Sequence, residues 1–179
     1  METKDTRLKI MSIFFEEPEN DFYIREIARK IGLSHTGVRK RLIGLEKEGL
    51  VIRKKSNTYE IYTSKINKAY LNLKLFYNLE KIRDSGIIGD LEKEFEYPTI
   101  VLFGSYSKAI DDNNSDVDLF IISTKESNFK VEKYDKILKR KIQLHIFTRK
   151  KFQELKKKSP ELVNSVCNGI VLSGNLEVL

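Results

Sequence analysis

The sequence predicts an α+β protein built from two modules joined by a long helix. Three observations carry that prediction. Over residues 1–67, short stretches of helical hydrophobic spacing are followed by two strand-like runs. Residues 68–84 then keep helical spacing without a break. From Pro98 onward, aliphatic strand-like runs alternate with helical ones, the order expected of a layered fold. A chain of 179 residues, 40% hydrophobic and 33% charged, has the material for a core and for two small domains.

The first helix is read over Arg7 to Glu16, where Leu8, Ile10, Met11, Ile13 and Phe14 recur at near-helical spacing. A second is read over Tyr23 to Ile31, carried by Ile24, Ile27, Ala28 and Ile31 and stopped by Gly32. Ser34 is placed as the N-cap of a third helix, whose inner stripe is Val38, Leu42 and Leu45 and which Gly49 ends. Val51 to Arg53 and Tyr59 to Tyr62 read as short strands joined by a polar tip, Lys54-Lys55-Ser56-Asn57. Lys68 to Asp84 carries Leu71, Leu75, Leu79 and Ile82 on one face, with Tyr70, Leu73, Phe76 and Tyr77 beside it. A stripe this wide calls for burial on two sides. It is either a linker helix packed on both modules or a dimerisation helix, and Gly86 and Gly89 break it. Thr99 to Phe103 reads as a buried strand, Asp116 to Ile122 as a second, Val131 to Arg140 as a helix, and Lys141 to Phe147 as a third strand. Lys151 to Asn168 reads as one or two helices with Pro160 in the first turn of the last, and Ile170 to Leu172 as a short strand. The domains are therefore placed at 1–67, 68–94 and 95–179.

The segment FYIREIARKIGLSHTGVRKRLIGLEKEGLVIRK holds small Ala28 where two helices would cross, Gly32 at the turn and Val38 pointing inward. This spacing resembles a helix-turn-helix. Its continuation through Leu42, Leu45, Gly49, Leu50 and Val51 resembles the winged-helix families of prokaryotic regulators. Between Thr36 and Lys55 seven basic residues face two acidic ones, a net +5. With Val38, Leu42 and Leu45 inward, Thr36, Arg39, Lys40 and Arg41 face out, as a major-groove helix requires. Lys54 and Lys55 at the wing tip are placed against phosphates. Double-stranded DNA is the partner these residues imply.

The sharpest motif is TIVLFGSYSKAIDDNNSDVDLFII. Residues i and i+2 on a strand share a side, so Asp116 and Asp118 present two carboxylates to one spot. Hard oxygen ligands of this kind suit Mg²⁺ or Mn²⁺ held together with nucleotide phosphates. Gly104 lets the backbone come close to a phosphate, and Ser105 can donate its hydroxyl. Gly-Ser after an apolar strand, a polar connection, then Asp-x-Asp on the next strand resembles the DNA polymerase β superfamily, in particular its minimal-nucleotidyltransferase branch. The resemblance covers about residues 95 to 179. It implies an NTP as substrate or ligand, a divalent cation, catalytic roles for Asp116, Asp118 and Ser105, and nucleotide binding by Gly104 and Ser105. The superfamily usually carries a third acid on a later strand. The matching strand here, Lys141 to Phe147, has none; Gln143 or His145 takes that position, with Gln143 the candidate metal ligand through its amide oxygen. The family also often has Gly where this chain has Ala109, a departure that stiffens the loop.

Composition narrows the setting. No apolar run reaches the roughly 18 residues of a membrane span, and the first ten residues, METKDTRLKI, are charged where a signal peptide needs an apolar core. Cys167 is the single cysteine, so an intramolecular disulfide is excluded; only His35 and His145 could join it on a metal, and its apolar neighbours place it in the core. A cytoplasmic protein is expected. The net charge of +7 suits a polyanionic partner. Two functions follow. One is an enzyme moving a nucleoside monophosphate from an NTP to an unknown acceptor; related families include antitoxins, so a protein acceptor is open by analogy. The other is a DNA-binding transcription regulator whose transferase-like domain is degenerate and serves nucleotide sensing or assembly. A homodimer is expected in either.

Overall fold

The structure, a computed structural model, describes residues 6–55, 59–125 and 127–177. The chain divides into two compact units, residues 1–77 and 78–179. The α+β class is as the sequence predicts.

The first unit opens with α1 (Thr6–Glu16), a two-residue strand β1 (Phe22–Tyr23), α2 (Ile24–Ile31) and α3 (His35–Lys47). The strand pair β2 (Val51–Lys55) and β3 (Glu60–Ser64) follows. Gly32 ends α2 at φ +68°, a left-handed geometry that suits glycine, and Ser34 caps α3 by accepting the Gly37 N–H at 3.1 Å. The three strands form an antiparallel sheet in the order β1-β3-β2. Ile10, Phe14, Ile27, Val38, Leu42 and Tyr62 are wholly buried and form the centre of its core. Helices followed by a strand pair are the element order that the sequence leads one to expect of a winged helix.

Two readings of this region need correction. Tyr23 is not helical: it pairs with Ile61 in β1, a third strand too short to leave a periodic signal. Lys54 and Lys55 do not sit in the turn; β2 continues through them, with Lys55 opposite Glu60. Ser56 and Asn57 of the expected tip lie outside the described residues.

Helix α4 (Lys68–Ser85) contains the division between the units. Tyr70 and Tyr77 belong to the first core, where the Tyr70 hydroxyl donates to the Phe14 carbonyl at 2.7 Å. Ile82 belongs to the core of the second unit. The expected break at Gly89 is absent. The chain turns at Gly86 and then forms α5 (Ile87–Glu94), with Gly89 inside it and Ile87 and Leu91 buried. Burial of those two side chains outweighs the roughly 1 kcal/mol that a helical glycine costs.

The second unit is built on a four-stranded mixed sheet of order β6-β5-β4-β7. Strands β4 (Thr99–Phe103) and β5 (Val117–Ile122) are antiparallel, β5 and β6 (Ile142–Phe147) are parallel, and β7 (Ile170–Ser173) pairs with β4. The single turn α6 (Gly104–Ser107) follows β4, and α7 (Glu132–Leu138) precedes β6. Alternation along the strands makes two cores. Ile100, Leu102, Val117, Leu119 and Ile121 face α5 and α7. Val101, Phe103, Phe120 and Ile122 face α8 (Arg149–Lys158) and α9 (Pro160–Cys167) through Phe152, Val163 and Val166. Cys167 is exposed rather than buried, because it falls off the Val163–Val166 stripe at the end of α9. Among the described residues no helix is long and apolar enough to cross a membrane.

Candidate functional site

Strand periodicity places the acid pair. Asp118 lies on β5 between Leu119 and Val117, which both point into the α5–α7 core, so its carboxylate emerges on the opposite face. Asp116, two residues earlier and one before the strand begins, shares that side. Both are half-buried. Register in the parallel pair sets Gln143 beside Asp118 and His145 beside Phe120, so both side chains stand on the same face as the acids. The Gln143 amide donates to Asp116 Oδ2, and His145 Nε2 lies 3.8 Å from Asp118 Oδ1, beyond hydrogen-bond length. The Phe103 ring meets His145 edge-on at 5.3 Å between centroids.

The turn after β4 closes over this pair. Gly104 has φ +74°, and a Cβ there would overlap the Asp118 carboxylate. Ser105 is half-buried, and its hydroxyl has no protein partner among the described residues. Gly104 is thus required twice, by its dihedral and by the acid it lets in. We expect Gly104→Ala to lower stability by about 1–2 kcal/mol from the left-handed conformation alone. Displacement of Asp118 should also weaken any nucleotide-dependent rise in melting temperature; an unchanged melting temperature with and without nucleotide would show that neither constraint acts. Ala109 holds φ +56°, so the position where the family often has Gly is a left-handed one here too, and alanine occupies it under strain.

The connection to Asp116 is held from below. Asp112 accepts the Asn114 N–H at 2.9 Å and the Ser115 hydroxyl at 3.0 Å, and these bonds keep its carboxyl below the usual carboxylate range. Asp111 is 3% exposed; its Oδ1 accepts the Asn78 amide at 2.8 Å and its Oδ2 lies 3.7 Å from Arg140 Nη2. Arg140 Nη1 also reaches Asn113 Oδ1 at 3.5 Å. This buried set escaped sequence reading. Asn78 did leave a signal, an amide set among the apolar positions of α4; Asp111 and Arg140 left none.

Two carboxylates fit a divalent cation that takes its remaining ligands from phosphates and water, which is how Mg²⁺ is commonly held. Among the described residues no cluster of three or more His, Cys, Asp and Glu side chains could hold a metal by itself. Gln143 is the nearest further donor, and rotating its amide would present Oε1 in place of the nitrogen.

In the first unit, Thr36, Arg39, Lys40 and Arg41 are all exposed along α3, with Val38 and Leu42 inward between them. Lys54 and Lys55 are exposed on β2. Arg39 is not simply solvated. Its Nη2 lies 3.4 Å from Glu60 Oε1, and Arg53 Nη1 lies 3.8 Å from the same oxygen. The Arg39 hydrogen bond, ahead of the nearby positive charges, holds the Glu60 carboxyl below its ordinary range. Lys54 Nζ is 3.1 Å from Asp21 Oδ1. Glu60 and Asp21 were not singled out from the sequence, since nothing in it tells which cation an acid will meet across a fold.

A comparison with curated proteins finds no match. Among solved structures, reduced HlyU from Vibrio cholerae N16961 aligns at 22% identity over 42% of this chain and 77% of its own, with a TM-score of 0.36. A proposed transcriptional regulator, RHA06195 from Rhodococcus sp. RHA1, aligns at 12% identity over 69% of this chain, with a TM-score of 0.32; the chain spans 46% of that protein. The family described as polymerase beta, nucleotidyltransferase matches residues 86–176. That match covers half the chain and contains the Gly104-Ser105 turn and the Asp116–Asp118 pair: the protein belongs to the polymerase beta nucleotidyltransferase family.

Proposed function

We propose that the protein binds an NTP at Gly104, Ser105, Asp116 and Asp118 and transfers its nucleoside monophosphate to an acceptor, while the winged helix binds double-stranded DNA. The observation that carries the first part is Asp118 on β5 with the Gly104 turn directly against it, and Asp116 one residue ahead of the strand, bound to Gln143 of β6. Asp116 and Asp118 would hold Mg²⁺ or Mn²⁺, with the Gln143 oxygen as a further ligand. When bound, such an ion neutralises phosphate charge and polarises the phosphorus under attack. The chain's own groups do the rest. The open backbone at Gly104 would admit a phosphate, the Ser105 hydroxyl would donate to it, and His145, 3.8 Å from Asp118 Oδ1, would serve as the proton acceptor. The test is thermal unfolding with each of the four NTPs in turn, with and without the metal. Stabilisation by one of them, only when metal is present, supports the reading; none with any NTP rejects it.

A second reading is favoured by one feature of the same site. The β6 positions facing the acid pair are Gln143 and His145, where the superfamily usually has an acid. In that reading the domain is degenerate, it senses nucleotide or supports assembly, and the winged helix does the work of a transcription regulator. Metal-dependent NTP stabilisation with no transfer to any acceptor would select it.

The DNA-binding part rests on the exposed row Thr36, Arg39, Lys40 and Arg41 on α3 and on Lys54 and Lys55 of β2. Arg39→Ala with Lys40→Ala should weaken duplex binding by at least tenfold and lower the log–log salt slope by roughly 1.8, about 0.9 for each phosphate no longer neutralised. Unchanged affinity and slope would remove α3 from the interface. A homodimer through α4 belongs to the same proposal, supported by Phe76, which is 48% exposed on that helix. Light scattering should then give twice the 20.9 kDa chain mass, and a monomer mass dismisses it. A cytoplasmic setting with a single thiol completes the reading.

A further inference from the structure

One cation of the exposed row on α3 is tied down. Among the described residues Lys40 and Arg41 have no ion pair, whereas Arg39 meets Glu60 of β3 along one side of its guanidinium. Its Nε donates to Glu60 Oε2 at 3.5 Å and its Nη2 to Oε1 at 3.4 Å. These contacts leave free both N–H groups of Nη1 and the outer one of Nη2. Glu60 is itself a fixed point. Its side chain is 16% exposed, its backbone lies in the β2–β3 ladder opposite Lys55, and Arg53 Nη1 is 3.8 Å from its Oε1. Arg53 Nε in turn donates at 3.3 Å to Oε1 of Glu46, which shares a face of α3 with Arg39. Four charges thus lace α3 to the strand pair. Arg39 is the most exposed of them, with 49% of its side-chain surface open.

We propose that Glu60 is a positioning residue for DNA recognition: it holds Arg39 side-on, so that the far end of the guanidinium faces the duplex and donates to two acceptors lying side by side. The proposal rests on the reading of α3 as the helix that enters the major groove. An arginine without such a hold swings about several single bonds, and fixing it on binding costs rotamer freedom. Arg39 has given up part of that freedom on folding. One N–H from Nη1 and one from Nη2 then run parallel, a pair that two phosphate oxygens match, and that O6 and N7 of guanine match as well. Arg39 lies in the first half of α3, the part of a recognition helix that comes nearest the bases. The Glu60 charge also repels the DNA backbone. Removing it therefore has two effects of opposite sign: losing the hold weakens binding, and losing the repulsion tightens it. They are separable, because only the first requires Arg39.

The test is a double-mutant cycle on the full chain, read by anisotropy with a short fluorescent duplex of mixed sequence. With Arg39 present, Glu60→Gln should weaken binding by about threefold or more; in an Arg39→Ala background the same change should leave binding unchanged or tighten it. The altered contact with Arg53 is common to both arms and cancels. Arg39→Lys keeps the charge and loses the fork, so it should bind more like Arg39→Ala than like the wild type. That variant leaves Glu60 in place and reads the hold even where Glu60→Gln unsettles the strand pair. Equal effects of Glu60→Gln in the two backgrounds overturn the proposal, since Glu60 then acts by repulsion alone. Tightening that requires Arg39 overturns it too, since Glu60 then restrains the arginine instead of presenting it. Wild-type affinity in Arg39→Lys does the same. Selection from a library of random duplexes separates the two kinds of acceptor. With guanine, the wild type selects a G·C pair that Arg39→Ala and Glu60→Gln both cease to select. With phosphate, all three select alike and Arg39→Ala lowers the salt slope by about 0.9. A preference lost in Arg39→Ala and kept in Glu60→Gln overturns the positioning role. Failure of the underlying reading looks different: a wild type that does not bind the duplex rejects DNA binding itself, and the role of Glu60 with it.

Discussion

Asp116→Asn is expected to abolish metal-dependent stabilisation by the cognate NTP, and turnover with it, while leaving the fold intact. The change removes one of the two negative charges that would hold the cation and keeps almost the same volume. It also keeps the local hydrogen bond, because an asparagine oxygen can still accept the Gln143 amide that Asp116 Oδ2 accepts now. Asp116 is half-buried and lies one residue ahead of β5, outside the strand ladder, so the sheet does not depend on its charge. At a nucleotide concentration about 100 times its dissociation constant, binding stabilises the wild type by roughly 2.7 kcal/mol. For a chain of this length that is a rise of roughly 5–10 °C in melting temperature. The variant should show none of it, and its melting temperature without ligand should match the wild type. Equal stabilisation in both proteins would remove Asp116 from the metal site. A fall in the unliganded variant's melting temperature comparable to the ligand effect would make Asp116 a structural residue instead.

The parts of this site that were legible in the sequence are those governed by local rules. The period of two on a strand sets Asp118 on the face opposite Val117 and Leu119, and Asp116, one residue ahead of β5, meets Gln143 on that face. Ser34 capped the helix it precedes and Gly32 ended the one before, because capping and left-handed turns are decided within a few residues. What escaped notice depends on partners distant in the chain. Helix α5 forms through Gly89 because Ile87 and Leu91 find a core, which the glycine's own preference does not reveal. Strand β2 runs on through Lys54 and Lys55 because β3 supplies a ladder opposite them; by composition they belong to a turn. Cys167 sits among apolar neighbours in sequence, yet one step of about 100° past Val166 carries it off the buried stripe of α9. The pairing of Arg39 with Glu60 joins residues on separate elements, and periodicity contains no information about it.

The second large effect comes from that long-range class. Asp111→Ala should destabilise the protein by about 3–5 kcal/mol, the usual cost of breaking a buried ion pair from one side. Asp111 and Arg140 are 3% and 6% exposed, and loss of the carboxylate leaves a guanidinium charge in an interior that water hardly reaches. The Asn78 amide, buried in α4, loses the 2.8 Å acceptor for its N–H at the same time. The melting temperature should fall by about 6–20 °C in all, at roughly 2–4 °C for each kcal/mol. Function should suffer as well. Asp111 begins the connection that ends at Asp116, and Arg140 ties that connection again at Asn113, so a loosened loop misplaces one acid of the pair. The double change Asp111→Ala with Arg140→Met separates charge from packing. Replacing both partners removes the stranded cation, so the double variant should be more stable than Asp111→Ala alone, even though two residues have been altered. If the two losses simply add, the pair is not energetically coupled. If Asp111→Ala costs less than about 1 kcal/mol, a third or less of the usual figure, the buried pair is not what holds the loop. The placement of Asp116 must then be credited to the Asp112 turn with its bonds to Asn114 and Ser115.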